Sequence, residues 1–147
     1  MAKKKITEST KVQVYNNVNN EVIFDNADGR TISIRKGGQY KLLTVRDLEA
    51  IHSNAPAMLE EGVLFIKNVD VREHLDIAEF YKDGSIIPLN EIGSLLKKDS
   101  LKVQDMVKKA SESAKREIVK EASKNQQELT VGVIETVEKE TGASLIK

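Results

Sequence analysis

The chain has 147 residues, enough for one ordinary domain or for two small units with modest cores. Basic and acidic side chains both number 23, so the formal net charge is zero and no global field draws the chain to polyphosphate or to an anionic membrane. The absence of Cys excludes disulfide staples, zinc thiolates and thiol nucleophiles.

Residues 1–10 read as a basic arm. Lys3, Lys4 and Lys5 precede a polar stretch from Ile6 to Thr10 rather than an apolar signal core, and no later run reaches membrane-spanning length. This predicts a soluble intracellular product with no membrane contact. The three lysines suit a solvated tail, and their functional alternative is contact with nucleic acid.

Residues 11–67 read as a β-rich module. Val12 and Val14, Val22 and Phe24, and Ile32 and Ile34 recur at every second position with polar residues between them, which predicts three half-buried strands in an antiparallel meander. Asn16 to Asn20 supplies the first turn and Asp28-Gly29 the second, while Gly37-Gly38 ends the third run. Tyr40, Leu42 and Leu43 lead back to the core. Thr44 followed by Asp47 has the spacing of a capping box, with Asp in place of the usual Glu or Gln, so a helix begins there with Val45, Leu48 and Ile51 on one face. Pro56 opens a new helical turn, Gly62 ends it, and the apolar run Val63 to Ile66 reads as a strand that closes the sheet.

Residues 68–147 read as a helical domain. Val71, Leu75 and Ala78 share one stripe ending at Asp83-Gly84, and Pro88 opens a second helix carrying Leu89, Ile92, Leu95 and Leu96. One long helix is predicted from about Ser100, through Leu101, Val103, Met106 and Val107 to Ala110, Ala114, Ile118 and Ala122. Its narrow, Ala-rich stripe points to loose packing or to packing against a partner, the alternative being a monomeric helical bundle. The last helix runs from about Glu128 to Glu140 and stops at Thr141-Gly142, with Leu145 and Ile146 docking back. The fold class predicted by the whole pattern is α+β.

No catalytic constellation is visible. His52 and His74 stand alone, and the neighbours His52 and Ser53 point about 100° apart on a helix, which rules out a nucleophile–base hydrogen bond between them. The stretch from Phe24 fits a calcium loop at Asn26, Asp28 and Gly29 but places Phe24 and Arg35 where carboxylates must ligate. Lys36-Gly37-Gly38 lacks the order of a phosphate loop, and Glu60-Glu61 and the Glu138, Glu140 pair read as solvated faces. Tyr15 and Tyr40 beside Lys11, Arg35 and Lys41 form the one candidate surface for stacking bases. Catalytic, cofactor and metal residues are therefore all assigned as none.

In pattern, the Val12–Phe24 hairpin, Ile32-Ser33-Ile34-Arg35-Lys36-Gly37-Gly38 before Tyr40, Thr44-Val45-Arg46-Asp47-Leu48 and Val63-Leu64-Phe65-Ile66 resemble small structural proteins of tailed bacteriophages. Lys115-Arg116-Glu117-Ile118 and Glu140-Thr141-Gly142 sit where such proteins carry a basic helix and a terminal stop. The resemblance implies a non-enzymatic virion component, of the head accessory, decoration or neck type, made in the host cytoplasm. Its partners would be major capsid or neck proteins, or further copies of itself. A small module with an apolar sheet edge independently invites docking. The expected contact residues are Val12, Val14 and Tyr15 at the sheet edge and Met106, Lys109, Ala110, Ala114 and Ile118 on the long helix. The alternative is a nucleic-acid-binding regulator using Lys3, Lys4 and Lys5 with Lys108, Lys109, Lys115 and Arg116.

Overall fold

The computed structural model describes residues 5–145. It is an α+β fold in which a small antiparallel sheet and a hairpin are followed by helices. The strands are β1 (Lys11–Asn16), β2 (Val22–Asp25), β3 (Thr31–Ile34), β4 (Tyr40–Thr44) and β5 (Leu64–Ile66). The helices are α1 (Val45–Asn54), α2 (Ala57–Glu60), α3 (Val69–His74), α4 (Ala78–Lys82), α5 (Ile92–Leu96), α6 (Ser100–Lys109), α7 (Glu112–Lys124) and α8 (Val131–Thr141). Short 3-10 turns occupy Leu89–Glu91 and Gln126–Glu128.

Strand pairing departs from a simple meander. β1 pairs with β4 on one side and β5 on the other, in the order β4-β1-β5, while β2 and β3 pair only with each other. Val12 and Val14 thus lie in the central strand and are buried, so the edge expected at 12–16 is not an edge. Alternation showed that these residues were strands; it carried no information on which strand joins which. The β2-β3 hairpin folds over the inner face of the sheet, where Val22, Phe24 and Ile34 join Val12, Val14, Leu43, Leu64 and Ile66 in one core.

Thr44 caps α1 as predicted: its hydroxyl accepts from the Asp47 N–H at 3.1 Å, and Asp47 Oδ2 accepts from the Thr44 N–H at 3.1 Å. Asp47 has a second role, because its Oδ1 accepts from the Ala27 N–H at 3.1 Å and clasps the hairpin tip to α1. Burial raises the Asp47 pKa, but the Thr44 and Ala27 N–H groups, the Thr44 hydroxyl and nearby Arg46 outweigh it and hold the carboxyl below its ordinary value of 3.8. A depressed folded-state pKa contributes stability above the unfolded value, and that contribution is lost as pH falls through the folded one. Asp47→Ala is expected to cost about 2–3 kcal/mol at pH 7, a cap plus one stranded N–H. In urea titrations the gap between variant and parent should narrow as the pH falls below about 4.

The stretch predicted as one helix over 68–82 is two, α3 and α4, broken where Asp76 adopts φ 62. Asp tolerates this left-handed conformation better than most residues. By packing, both helices belong with the sheet: Val71, Leu75 and Ile77 are in the first core, and Phe80 and Tyr81 lie against it. The division between cores therefore falls between Ile77 and Ile87, later than the boundary at 67–68.

The second core is formed by α5 to α8 and contains Ile92, Leu96, Val103, Val107, Ile118, Val133 and Val137. The long helix predicted from Ser100 is interrupted at Ala110, which is extended at φ -64 and ψ 143, and Ser111 caps the new helix by accepting from the Ala114 N–H at 3.1 Å. The break lets α6 pack on α8 while α7 packs on α5 and α8. Gly142, at φ 77, ends α8, and Leu145 is buried with its N–H donating to Glu138 Oε2 at 2.9 Å. Ile146 lies outside the described residues.

Three asparagines at the end of β1 and just beyond it act as ties, and two of them, Asn17 and Asn19, join the two cores. Asn16 Nδ2 donates to the Asn20 and Ile34 carbonyls at 2.7 and 2.9 Å, tying the hairpin to the sheet. Asn17 Nδ2 donates to the Gly62 and Ile87 carbonyls at 3.0 and 2.9 Å, and its Oδ1 accepts from the Leu89 N–H at 2.7 Å. Glu117, on α7 and only 3% exposed, accepts from the Asn19 N–H and Nδ2 at 2.8 and 3.1 Å and from Lys120 Nζ at 3.3 Å. A second joint is made at α7, where Ser111 Oγ donates to the Glu61 carbonyl at 2.7 Å and the Ser113 N–H donates to Glu61 Oε1 at 3.1 Å. Gly37 fits closely here: a Cβ would lie 2.6 Å from both Leu89 Cδ2 and the Val18 carbonyl oxygen.

Candidate functional site

Strand alternation sends Val12 and Val14 to the core and turns Lys11, Gln13 and Tyr15 outward. The register places Leu42 opposite Gln13, and Tyr40 and Phe65 on either side of Tyr15. Helix α4 adds Tyr81 at the end of this row. Three of the six aromatic residues thus line one side of the sheet, with Tyr81 at its β5 edge, and on this side Tyr40 is 50% and Leu42 58% exposed.

The rings are held by their neighbours. Tyr15 and Tyr40 have centroids 5.3 Å apart at 48°, and the Tyr15 hydroxyl donates to Gln13 Oε1 at 3.0 Å. Phe65 meets Tyr81 edge-on at 5.3 Å. Lys67 Nζ stands 4.5 Å from the Tyr15 centroid, and the Arg72 guanidinium 3.9 Å from that of Tyr81. Burial pushes the Tyr81 hydroxyl pKa up, against the opposing pull of the Ile66 N–H and Arg72, so it remains a neutral hydrogen-bonding group at pH 7.

The two edges of this sheet differ. At β5 the Ile66 N–H donates to the Tyr81 hydroxyl at 3.0 Å, and Arg72 Nε donates to the Ile66 carbonyl at 2.6 Å. At β4 the bonds from the Val45 N–H to the Thr10 carbonyl and from the Asn16 N–H to the Gln39 carbonyl fix the phase of the ladder. By antiparallel alternation Lys41 and Leu43 then face β1, while the N–H and C=O groups of Tyr40 and Leu42 point away from it. A groove runs beside them, bounded by Glu21, Ser33 and Arg35 on the hairpin side and by Tyr40 and Lys41 on the other.

The surroundings are cationic. Lys11, Arg35, Lys36, Lys41 and Lys67 make no ion pair among the described residues, and Glu21, the carboxylate in the groove, accepts from Ser33 Oγ at 2.6 Å. A cleft of about 220 Å³ opens at the other end of the row, between Tyr15, Gly37, Phe65, Lys67 and Leu89, with room for one or two side chains.

Of the predicted contact residues, only Tyr15 lies on this face. Val12 and Val14 are in the first core; Ala110, Ala114 and Ile118 are buried in the second, with Met106 packed against it. The Ala-lined stripe is therefore filled from within the chain, because the break before Ser111 brings α7 against α5 and α8. Lys109 is exposed and paired with Asp105 at 3.0 Å. Lys5, Lys108 and Arg116 are exposed, Lys115 pairs with Glu112 at 3.6 Å, and Lys3 and Lys4 lie outside the described residues. These cations alternate with carboxylates and form no continuous strip.

The residues missed by sequence reading are Leu42, Phe65, Lys67, Arg72 and Tyr81. Leu42 was masked by its apolar neighbour Leu43, and Tyr81 reaches the sheet only through the break at Asp76. Glu61 also differs from its solvated reading, since it receives bonds from α7, while Glu60 Oε2 lies 2.7 Å from His52 Nε2 and links α2 to α1. Among the described residues, no cluster of three or more His, Asp or Glu side chains is arranged to hold a metal, and no helix is long and apolar enough to cross a membrane. Compared with protein-family models, curated proteins and solved structures, the chain matches none.

Proposed function

We propose that this chain is a non-enzymatic docking subunit, acting in a tailed-phage particle as a capsid accessory, decoration or neck component. The observation that supports docking is the uncovered outer face of the sheet, where Tyr40 and Leu42 stay exposed beside an open strand edge while the helical stripes are buried internally. Exposed apolar surface next to unpaired backbone groups is the usual starting point for a protein contact. The particle assignment draws on the resemblance described above. Mass spectrometry of purified particles should find the chain in fixed stoichiometric ratio to the capsid protein; absence from the particles overturns the assignment.

The second reading, a nucleic-acid-binding regulator, draws support from the juxtaposition of Tyr15 and Tyr40 with unpaired Lys11, Arg35, Lys41 and Lys67. Binding through phosphates falls steeply with added salt, losing one counterion-release increment per contact. Affinity for single-stranded DNA that drops at least tenfold between low and moderate salt would favour this reading over the first.

A further inference from the structure

At the β5 edge of the sheet side chains occupy the outward backbone groups of Ile66, and among the described residues the β4 edge has no such cover. Tyr81 and Arg72 occupy the outward backbone groups of Ile66 on β5, whereas the outward groups of Tyr40 and Leu42 on β4 have no partner among the described residues. We infer that β4 receives an extended acidic segment of a partner protein as a fourth strand, its alternate apolar side chains lying on the Tyr40–Leu42 face. The inference rests on the docking reading and adds to it the mode of binding and the chemistry of the partner.

Three features select that occupant. Tyr40 and Leu42 each offer one donor and one acceptor on the same side, a repeat that another strand satisfies with both kinds of group. A phosphate backbone brings no donors for the two carbonyls. The side chains at the edge divide in the same alternating way: Tyr40 and Leu42 offer apolar surface, and Arg35, Lys36 and Lys41 offer unpaired positive charge. Acidic residues flanking the apolar positions of an incoming strand would meet those cations. A second copy of this chain pairing β4 antiparallel with β4, Tyr40 opposite Leu42, would instead set Lys41 directly against Lys41, and like charges across a strand pair are unfavourable. Lys67, beside the 220 Å³ cleft, extends the positive rim to a place where an apolar side chain of the same segment can seat.

The test pans a random peptide library displayed on a carrier against the full chain. The recovered peptides should alternate apolar and acidic residues and should slow hydrogen exchange at the Tyr40 and Leu42 amides. Leu42→Pro removes an outward N–H that β1 does not use, at an edge where proline is tolerated, and should weaken those peptides about tenfold, as expected for one lost backbone bond. Arg35→Glu with Lys41→Glu keeps every backbone group and should weaken them by a similar factor. The inference is overturned if no peptide is recovered or if the recovered peptides bind both variants as tightly as the parent. It is also overturned if these amides are protected instead by self-association or by oligothymidylate. Should the edge fail while the chain is stoichiometric in purified particles, only strand addition is lost. Should the chain be absent from particles while the edge takes peptide, only the particle assignment is lost.

Discussion

Asn17→Ala is expected to lower the unfolding free energy by about 3–5 kcal/mol, the largest effect of any single polar truncation in this chain. The side chain uses both donors and one acceptor, on the Gly62 and Ile87 carbonyls and the Leu89 N–H, and it is only 9% exposed. Alanine leaves three backbone groups without partners where water reaches poorly, at about 1–3 kcal/mol each and less than additively. Against a total of about 5–15 kcal/mol for a domain of ordinary stability, that is a large fraction. Urea unfolding followed by circular dichroism would measure the loss, and a midpoint within error of the parent would refute the role. Asn17→Asp provides a sharper control. It keeps the acceptor for Leu89 but turns two carbonyls toward a carboxylate, so its folded-state pKa should rise. Because only the protonated acid can donate, this variant should recover stability as pH falls through that raised value, which Asn17→Ala cannot do.

The second large effect is expected at Glu117. Glu117→Leu should cost about 3 kcal/mol, since the Asn19 N–H and side-chain amide lose a charged acceptor and Lys120 loses its partner. Glu117→Gln retains an acceptor oxygen for Asn19 and loses only the charge, so about 1 kcal/mol is expected. The order parent, Gln, Leu in denaturation midpoints distinguishes a hydrogen-bonding role from simple burial. If Leu matched or exceeded the parent, the carboxylate would be dispensable and hydrophobic packing of α7 would explain its position.

Much of the secondary structure was legible because its signals are local. The Val12–Val14, Val22–Phe24 and Ile32–Ile34 alternations, the Thr44–Asp47 box and the Thr141-Gly142 stop each depend on residues within one or two turns of each other. The break before Ser111 was also written locally, as a side-chain N-cap, but Met106, Ala110 and Ala114 continue the helical period across it and concealed it. Sheet order was not legible, because pairing β1 with both β4 and β5 is decided by contacts between distant segments. The candidate face followed from that same order: Tyr15 gains Tyr40 from one neighbour and Phe65 from the other. The asparagine cluster read as a turn, since Asn favours turns, and nothing in its spacing distinguished a loop residue from one buried between two cores.

The central position of β1 also sets a timetable for synthesis. The strand leaves the ribosome first, yet its two neighbours are encoded at 40–44 and 64–66, whereas the β2-β3 hairpin closes across only a few residues. At about 5–20 residues per second, Val12 and Val14 wait roughly 2–10 s for the second side of their ladder. For the later part of that interval, once β4 has been made, the nascent chain carries an apolar strand with a partner on one side only, and the sheet completes only after α1 and α2 have been made. Pausing of translation between residues 45 and 64 would lengthen that exposure, so the yield of folded protein should be most sensitive to slow codons there.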